Sequence, residues 1–304
     1  MYSPITKILN VYTMNKRRIP ESEFIINADG TVFHLHLLPE QLADKIVMMG
    51  DPARVDMVAQ FFDSIECNIS SREFHTITGS YKGKRITAMS HGIGGDNIDI
   101  VLTELDALVN VDFATRTVKD KKKSLTIVRI GTSGGLQPDI ELGTNLISVR
   151  SMGFDGVLNF YANRDSVCDT DFEKAFCNSV EWNPQHASPY IVSADKELVS
   201  RLNQGDMKEG VTISANGFYG PQGRFLRLPL ADPNLNAKIQ QFRYGSERIT
   251  NYEMEGAALA GLAQLMGHKA ATVCNIIAGR ASHSANTNYK SGMPALIEKV
   301  LERI

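Results

Sequence analysis

These 304 residues carry no excess of charge of either sign, no metal-binding pattern of cysteine or histidine, and no membrane-length apolar run. Each absence excludes something. Lysine and arginine number 32 against 34 aspartates and glutamates, a formal net charge of -2. Nothing globally basic points to nucleic acid, so an anionic partner needs a local cluster of arginines. Cys67, Cys168, Cys177 and Cys274 are not spaced as metal ligands, and the seven histidines form neither HxxxH nor HExxH. Cys67 and Cys274 sit in or beside apolar runs, where cysteine is usually a small core residue. The expectation is a reducing, cytoplasmic protein with no metal and no cofactor.

The stretch from Gly256 to Ala271 is rich in Ala and Leu but is broken by Gln264, His268 and Lys269. It falls short of the ~20 apolar residues that span a bilayer. Met1 to Pro20 has no signal-peptide apolar region and ends near Lys16-Arg17-Arg18. Residues 1–14 read as a disordered tail, with Met14 an alternative start, and residues 15–304 as one domain. A GxxxxGK[ST] loop is absent, which disfavours a nucleotide triphosphatase. No GxGxxG follows the first strand, which weakens a dinucleotide enzyme.

What is present is a globular composition, 43% hydrophobic and 22% charged, in which strand and helix patterns alternate. Lys45 to Met49 is a short apolar strand ending at Gly50-Asp51-Pro52. A helix with Val55, Met57, Val58 and Phe61 or Phe62 follows, Asp51 suiting the N-cap and Pro52 the first turn. Glu73 to Tyr81 and Arg85 to Ser90 flank Lys82-Gly83-Lys84 as a hairpin. Gly92-Ile93-Gly94-Gly95 opens a helix from Asn97 to Leu108. Leu125 to Ile130 reads as a buried strand ending in a turn, Gly131-Thr132-Ser133-Gly134-Gly135. Further strands are expected at 146–152, 190–193 and 211–215. Helices are expected near 171–180, 195–203 and 233–242. Met254 to Met266 is a helix, with Asn251-Tyr252-Glu253-Met254-Glu255 at its start. Ala270 to Ile277 is a strand, and Pro294 to Ile304 a closing helix. Lys119 to Lys123 is a solvated charged loop. Glycine turns at strand ends are where open α/β sheets gather ligands.

Three arginines stand beside such glycines: Arg54, Arg72 and Arg129. Guanidinium forks, the Thr132 hydroxyl and backbone N–H groups together suit a phosphate. The segment Phe218-Tyr219-Gly220-Pro221-Gln222-Gly223-Arg224 offers an aromatic pair, then an amide and a guanidinium. It could stack a flat heterocycle and bond its edge, since Gln both donates and accepts while Arg only donates. Glu253 and Glu255 would favour a helix dipole, or one could accept from a sugar diol. His34 alternates with apolar residues, the pattern of a satisfied structural histidine.

Taken together and in order, Gly50-Asp51-Pro52-x-Arg54, Arg72-Glu73-Phe74, Gly92-Ile93-Gly94-Gly95, Arg129-Ile130-Gly131-Thr132-Ser133-Gly134, Phe218-Tyr219 with Gln222-Gly223-Arg224, and Asn251-Tyr252-Glu253-Met254-Glu255 resemble the uridine phosphorylases. These belong to the nucleoside phosphorylase superfamily, shared with bacterial purine nucleoside phosphorylases. The resemblance spans about residues 31–304. It implies a single α/β domain, with a mixed twisted sheet distorted toward a barrel and surrounded by helices. It also implies a homodimer as the minimum unit, or a hexamer built as a trimer of dimers, with two subunits completing each site. By match, Gly50, Arg54, Arg129 and Thr132 look like phosphate ligands, with Arg72 given by the neighbour. Met254 and Glu255 resemble the ribose-binding pair, with His34 reaching in from the neighbour. Phe218, Gln222 and Arg224 resemble the base pocket, with Arg280 a guanidinium one layer behind. Arg224, Gln222 and Glu255 carry the catalytic roles.

The implied reaction is uridine plus phosphate giving uracil plus ribose 1-phosphate, in pyrimidine salvage, with phosphate as co-substrate. Two departures stand out. Ile276-Ile277-Ala278-Gly279-Arg280 differs from the bacterial pattern, in which a bulkier residue and Asn precede the Arg. Some relatives bind potassium through residues matching Glu73, Ile93 and a serine, and here the last is Asn97. Purine nucleoside phosphorylase, a water-using nucleosidase and a non-catalytic nucleoside-binding relative are the competing readings. A purine enzyme would want an acid after the late strand, where Ala278-Gly279-Arg280 has none.

Overall fold

Ile46 to Met49 is an unbroken apolar run, and such a run pays off only where both faces of a strand are covered. The computed structural model, which describes residues 17–304, buries all four. The tail expected over residues 1–14 lies outside the described residues. In chain order the elements are β1 (Lys45–Met49), α1 (Ala53–Ala59), β2 (Ser64–Ser71), β3 (Phe74–Tyr81), β4 (Lys84–Ser90) and α2 (Gly95–Asn110). The short pair β5 (Val111–Asp112) and β6 (Thr117–Val118) precedes β7 (Thr126–Gly135), β8 (Asn145–Gly153), α3 (Thr170–Val180) and β9 (Tyr190–Ser193). Then come α4 (Lys196–Leu202), β10 (Lys208–Ser214), α5 (Leu235–Gln241), β11 (Ile249–Glu253), α6 (Gly256–Met266), β12 (Lys269–Gly279), β13 (Ser284–Ala285) and α7 (Met293–Arg303).

Eleven strands make one mixed sheet in the order β13-β12-β8-β10-β11-β7-β1-β4-β3-β2, with β9 on β8. Strand β7 also pairs with β12, so β7, β12, β8, β10 and β11 close a ring. The fold is therefore the single α/β domain with a barrel-like sheet that the motifs implied. Helix α2 presents Ile98, Val101, Leu102 and Leu105 at helical spacing to one face. They join Leu259 and Leu262 of α6, which is buried from Gly256 to Ala263. On the other side α1 and α7 cover Val47, Val128 and Val273.

Four expectations need correction. Strand β2 was not foreseen, because Ser64–Ser71 lies at the sheet edge and is largely exposed, leaving no apolar alternation. Strand β7 does not stop at Ile130. It continues through Gly131 to Gly135 because β12 runs beside it to Gly279 and satisfies that backbone. Asn251 to Glu253 is the end of β11, not a helix start, and α6 begins at Gly256. Helix α1 begins at Ala53 and ends before Phe61, although the Asp51 carboxylate still accepts from the Ala53 N–H at 3.0 Å. Lys119 to Lys123 is exposed, as the charge run implied.

Leu259 is fully buried at the α2–α6 contact. Leu259→Ala should lower unfolding stability by about 2–5 kcal/mol, read as a shift in the urea midpoint at unchanged slope. A change within about 0.5 kcal/mol would mean that this contact is not part of the core.

Candidate active site

The carboxyl ends of β1 and β7, the loop after β4 and the β11–α6 junction surround a cavity of about 950 Å³. Gly50, Arg54, Arg129 and Thr132 line one part of it. Phe218, Gln222 and Arg224 also line it, as do Met254 and Glu255 from the β11–α6 junction. Nine of the residues singled out from the sequence thus share one cavity.

Arg129 is buried in mid-strand, and its guanidinium turns back over its own chain. A Cβ on Gly131 would stand 2.6 Å from Arg129 Nη1, so only glycine leaves room for that turn. Its Nη1 contacts Glu253 Oε2 at 2.9 Å, and its Nη2 donates to Glu255 Oε2. Its Nε donates to His91 Nε2 at 3.2 Å. The second Glu255 oxygen accepts from the Gly94 N–H at 2.8 Å. Gly94 has φ 99°, a conformation only glycine adopts freely, and this aims that N–H at Glu255. Burial raises the Glu255 carboxyl, opposed by the charge of Arg129 and assisted by that of Glu253.

Arg54 is buried nearby with no carboxylate partner among the described residues. Its Nη1 lies 3.5 Å from the Ile130 carbonyl, and its Nε has no partner among the described residues. Burial and then the charge of Arg129 lower its pKa. Arg129 holds both carboxylates, whereas Arg54 has no direct carboxylate contact among the described residues, so its guanidinium donors are left free at this end of the cavity. An anion bound there would meet charge-assisted donors in a low-dielectric setting.

Glu253 has a different task. Its carboxylate accepts from Ser214 Oγ and from the N–H groups of Glu255 and Gly256, the latter two at 2.8–3.0 Å. It thereby fixes the β11–α6 turn from which Met254 and Glu255 project.

At the other end, Gly220–Gln222 forms a single 3₁₀ turn with Gln222 buried. Tyr252 Oη donates to Asn236 Oδ1 at 2.9 Å, and Asn236 Nδ2 donates to the Gln222 carbonyl at 3.0 Å. Arg224 Nη1 donates to Gln222 Oε1 and to the Phe218 carbonyl, each at 2.5 Å, while its guanidinium lies 3.6 Å over the Phe218 ring. One face of the Phe218 ring is thus covered by Arg224. Tyr219 lies outside this cavity. The Gln222 oxygen has one lone pair committed to Arg224, leaving its second lone pair and the amide donors. Burial and then Arg280 lower Arg224 to about 10, so it remains charged at neutral pH.

Three predicted residues do not line the cavity: His34, Arg72 and Arg280. Glu104 accepts from His34 Nδ1 at 2.6 Å and from the His34 and Leu35 backbone N–H groups. Arg72, at φ 55°, is exposed and stacks 5.6 Å from the Phe33 ring centroid. Arg280 has two buried nitrogens with no partner among the described residues. Asn97 Nδ2 donates to the Ile93 carbonyl at 3.3 Å. No cluster of His, Cys, Asp or Glu among the described residues is arranged to hold a metal, and no helix among them is long and apolar enough to cross a membrane.

Two residues escaped sequence reasoning. His91 sits between the strand that ends at Ser90 and the glycines from Gly92, and its only signal is that position. Tyr289 lines the cavity from a distant segment and has no sequence signal at all.

The match to known proteins agrees with this geometry. Residues 44–301 match the family model described as "Phosphorylase superfamily". The chain belongs to that superfamily. A uridine phosphorylase of Thermococcus kodakarensis is 28% identical over 261 residues, covering 84% of this chain and 80% of the relative. A "Purine nucleoside phosphorylase DeoD-type 1" of Aliivibrio fischeri is 27% identical over 244 residues, covering 80% of this chain and 84% of the relative. A solved Trypanosoma brucei nucleoside phosphorylase, described as showing uridine phosphorylase activity, superimposes with a TM-score of 0.83 at 25% identity. That match covers 92% of this chain and 98% of the other.

His91 supplies a test of the buried charges in this phosphorylase-superfamily site. Burial, then Arg129 and Arg54, push its pKa well below the ordinary 6.5. Below 6.5 the unfolded chain binds a proton that the folded chain does not. The contribution to stability is therefore full above 6.5 and is lost as pH falls beneath it. Between pH 6.5 and 5.5 wild type should lose about 1 kcal/mol more than His91→Gln, measured by urea unfolding. Parallel losses would show that His91 titrates normally in the folded protein.

Proposed function

We propose that this chain is a uridine phosphorylase, a pentosyltransferase that converts uridine and phosphate to uracil and ribose 1-phosphate in pyrimidine salvage. The observation that carries the reading is the shared cavity. An arginine, Arg54, without a direct carboxylate contact among the described residues and a polar base-edge pair open into it, together with a buried carboxylate suited to a sugar diol. Gly50, Arg54, Arg129 and Thr132 would hold phosphate against the sugar, and Met254 and Glu255 would hold ribose. As the glycosidic bond stretches the sugar becomes oxocarbenium-like, and a phosphate dianion beside it stabilises that charge and then adds to it. Negative charge flows into the uracil carbonyls, where Arg224 and Gln222 receive it through preorganised donors, with Arg280 behind them. Fixing both substrates face to face supplies much of the rate gain.

A purine leaving group needs protonation, and Ile277 and Ala278 line the cavity where an acid would be wanted. This disfavours the purine reading, although a purine relative is nearly as similar in sequence. A water-using nucleosidase would have no need for a buried Arg54 whose donors are left free of carboxylates.

The active unit we propose is at least a homodimer. Arg72 and His34 lie together beside Phe33, outside the cavity, as residues donated to a neighbour's cavity would. Four free thiols are in keeping with a reducing, cytoplasmic setting.

Three measurements check this. Uracil release should require phosphate, and Arg129→Ala should lose charge-assisted hydrogen bonds worth about 1.5–3 kcal/mol each in kcat/KM. Equal release in phosphate-free buffer would make the chain a hydrolase. Arg72→Ala mixed with Arg129→Ala should regain activity through subunit exchange, whereas a fully active monomer would contradict shared sites. Arg224→Ala should cut uridine turnover about a hundredfold, roughly 2.7 kcal/mol. Cytidine should not be cleaved, since its exocyclic amine faces donors. Efficient cleavage of inosine, or an unaffected Arg224→Ala variant, would remove the pyrimidine assignment.

A further inference from the structure

We infer that His91 is a positioning residue for phosphate capture, a neutral imidazole that holds the Arg129 guanidinium in place through its Nε2 lone pair. The inference rests on the proposed role of Arg129 in binding phosphate. His91 follows β4 directly, and its N–H donates to the Met49 carbonyl at 2.9 Å, so pairing to β1 carries the imidazole to Arg129, which lines the cavity. It is fully buried there. Arg54 of α1 and Arg129 of β7 face it, with Glu253, Glu255 and Cys274 behind Arg129.

The guanidinium fixes the tautomer. Arginine only donates and stays protonated, so the 3.2 Å contact from Arg129 Nε requires a lone pair on His91 Nε2. The ring proton must then lie on Nδ1, an atom with no partner among the described residues. A protonated ring would set N–H against N–H and place a third positive charge beside Arg54 and Arg129. The carboxylates of Glu253 and Glu255 take the two terminal nitrogens of Arg129. His91 takes the remaining Nε edge. Without it the guanidinium is held from the carboxylate side alone and is free to tilt away from Arg54. Phosphate binding would then bear the cost of restoring its orientation, while uridine contacts at Gln222 and Arg224 would be untouched.

The test uses the full-length enzyme and two variants. Gln can present an oxygen near the position of Nε2; Met fills similar volume with no such acceptor. With phosphate and uridine varied separately, His91→Met should raise the KM for phosphate about ten- to hundredfold, the span of one hydrogen bond to a charged group. Its KM for uridine should stay within about twofold, and His91→Gln should recover most of the phosphate affinity. Equal behaviour of the Met and Gln variants, or equal losses toward both substrates, would overturn the inference. If wild type needs phosphate and His91→Met is indifferent, the inference alone fails. If wild type releases uracil without phosphate, the phosphorylase reading fails as well. Should His91→Met not fold, the ¹⁵N shifts of the wild-type imidazole decide. A bare Nε2 and a protonated Nδ1 support the tautomer, and a protonated Nε2 contradicts it.

Discussion

Arg129 is the point at which sheet, turn and cavity are tied together. One guanidinium, buried in the middle of β7, engages Glu253 and Glu255 of the β11–α6 turn and His91 after β4. Taking such charges out of water is costly, and only close pairing with every donor satisfied offsets it. The local sequence follows from that requirement. Gly131 must lack a side chain so that the guanidinium can fold back. Gly94 must adopt positive φ so that its N–H can reach Glu255. Glu253 must cap the β11–α6 turn so that Glu255 points inward.

The same arrangement separates two kinds of arginine. Arg129, with two carboxylates, is structurally satisfied before any ligand arrives. Arg54, buried a short distance away, has a carbonyl at 3.5 Å and no carboxylate in direct contact among the described residues. The anion attraction of the site therefore resides mainly in Arg54, with Arg129 supplying geometry. Arg224 and Arg280 repeat the theme at the far end, where two guanidinium groups lie close enough for one to lower the other.

Much of this was legible in the sequence because the motifs report backbone needs. Gly131 beside Arg129 and Gly223 after Gln222 each mark a place where a side chain would clash. The α/β alternation and the pairing of strands with helices were legible for the same reason. What the sequence could not show was pairing at a distance. The continuation of β7 through Gly131 to Gly135 depends on β12, more than a hundred residues later in the chain. Strand β2 has no apolar face to read. Asn251 to Glu253 has the acidic pattern of a helix start, yet it lies in β11 because β10 beside it satisfies its backbone. His91 has no motif of its own, and its meaning comes only from Arg129 lying 3.2 Å away.

The account stands on Arg129 and Glu255 being a single buried unit rather than two independent site residues. A double-mutant cycle of Arg129→Met and Glu255→Gln, read as unfolding free energy in urea, tests this most directly. Arg129→Met leaves two buried carboxylates without their cation and should cost about 3–5 kcal/mol, whereas Glu255→Gln leaves Arg129 paired with Glu253 and should cost less. The double variant should cost less than their sum by at least about 1.5 kcal/mol. Additivity within about 0.5 kcal/mol would contradict the account.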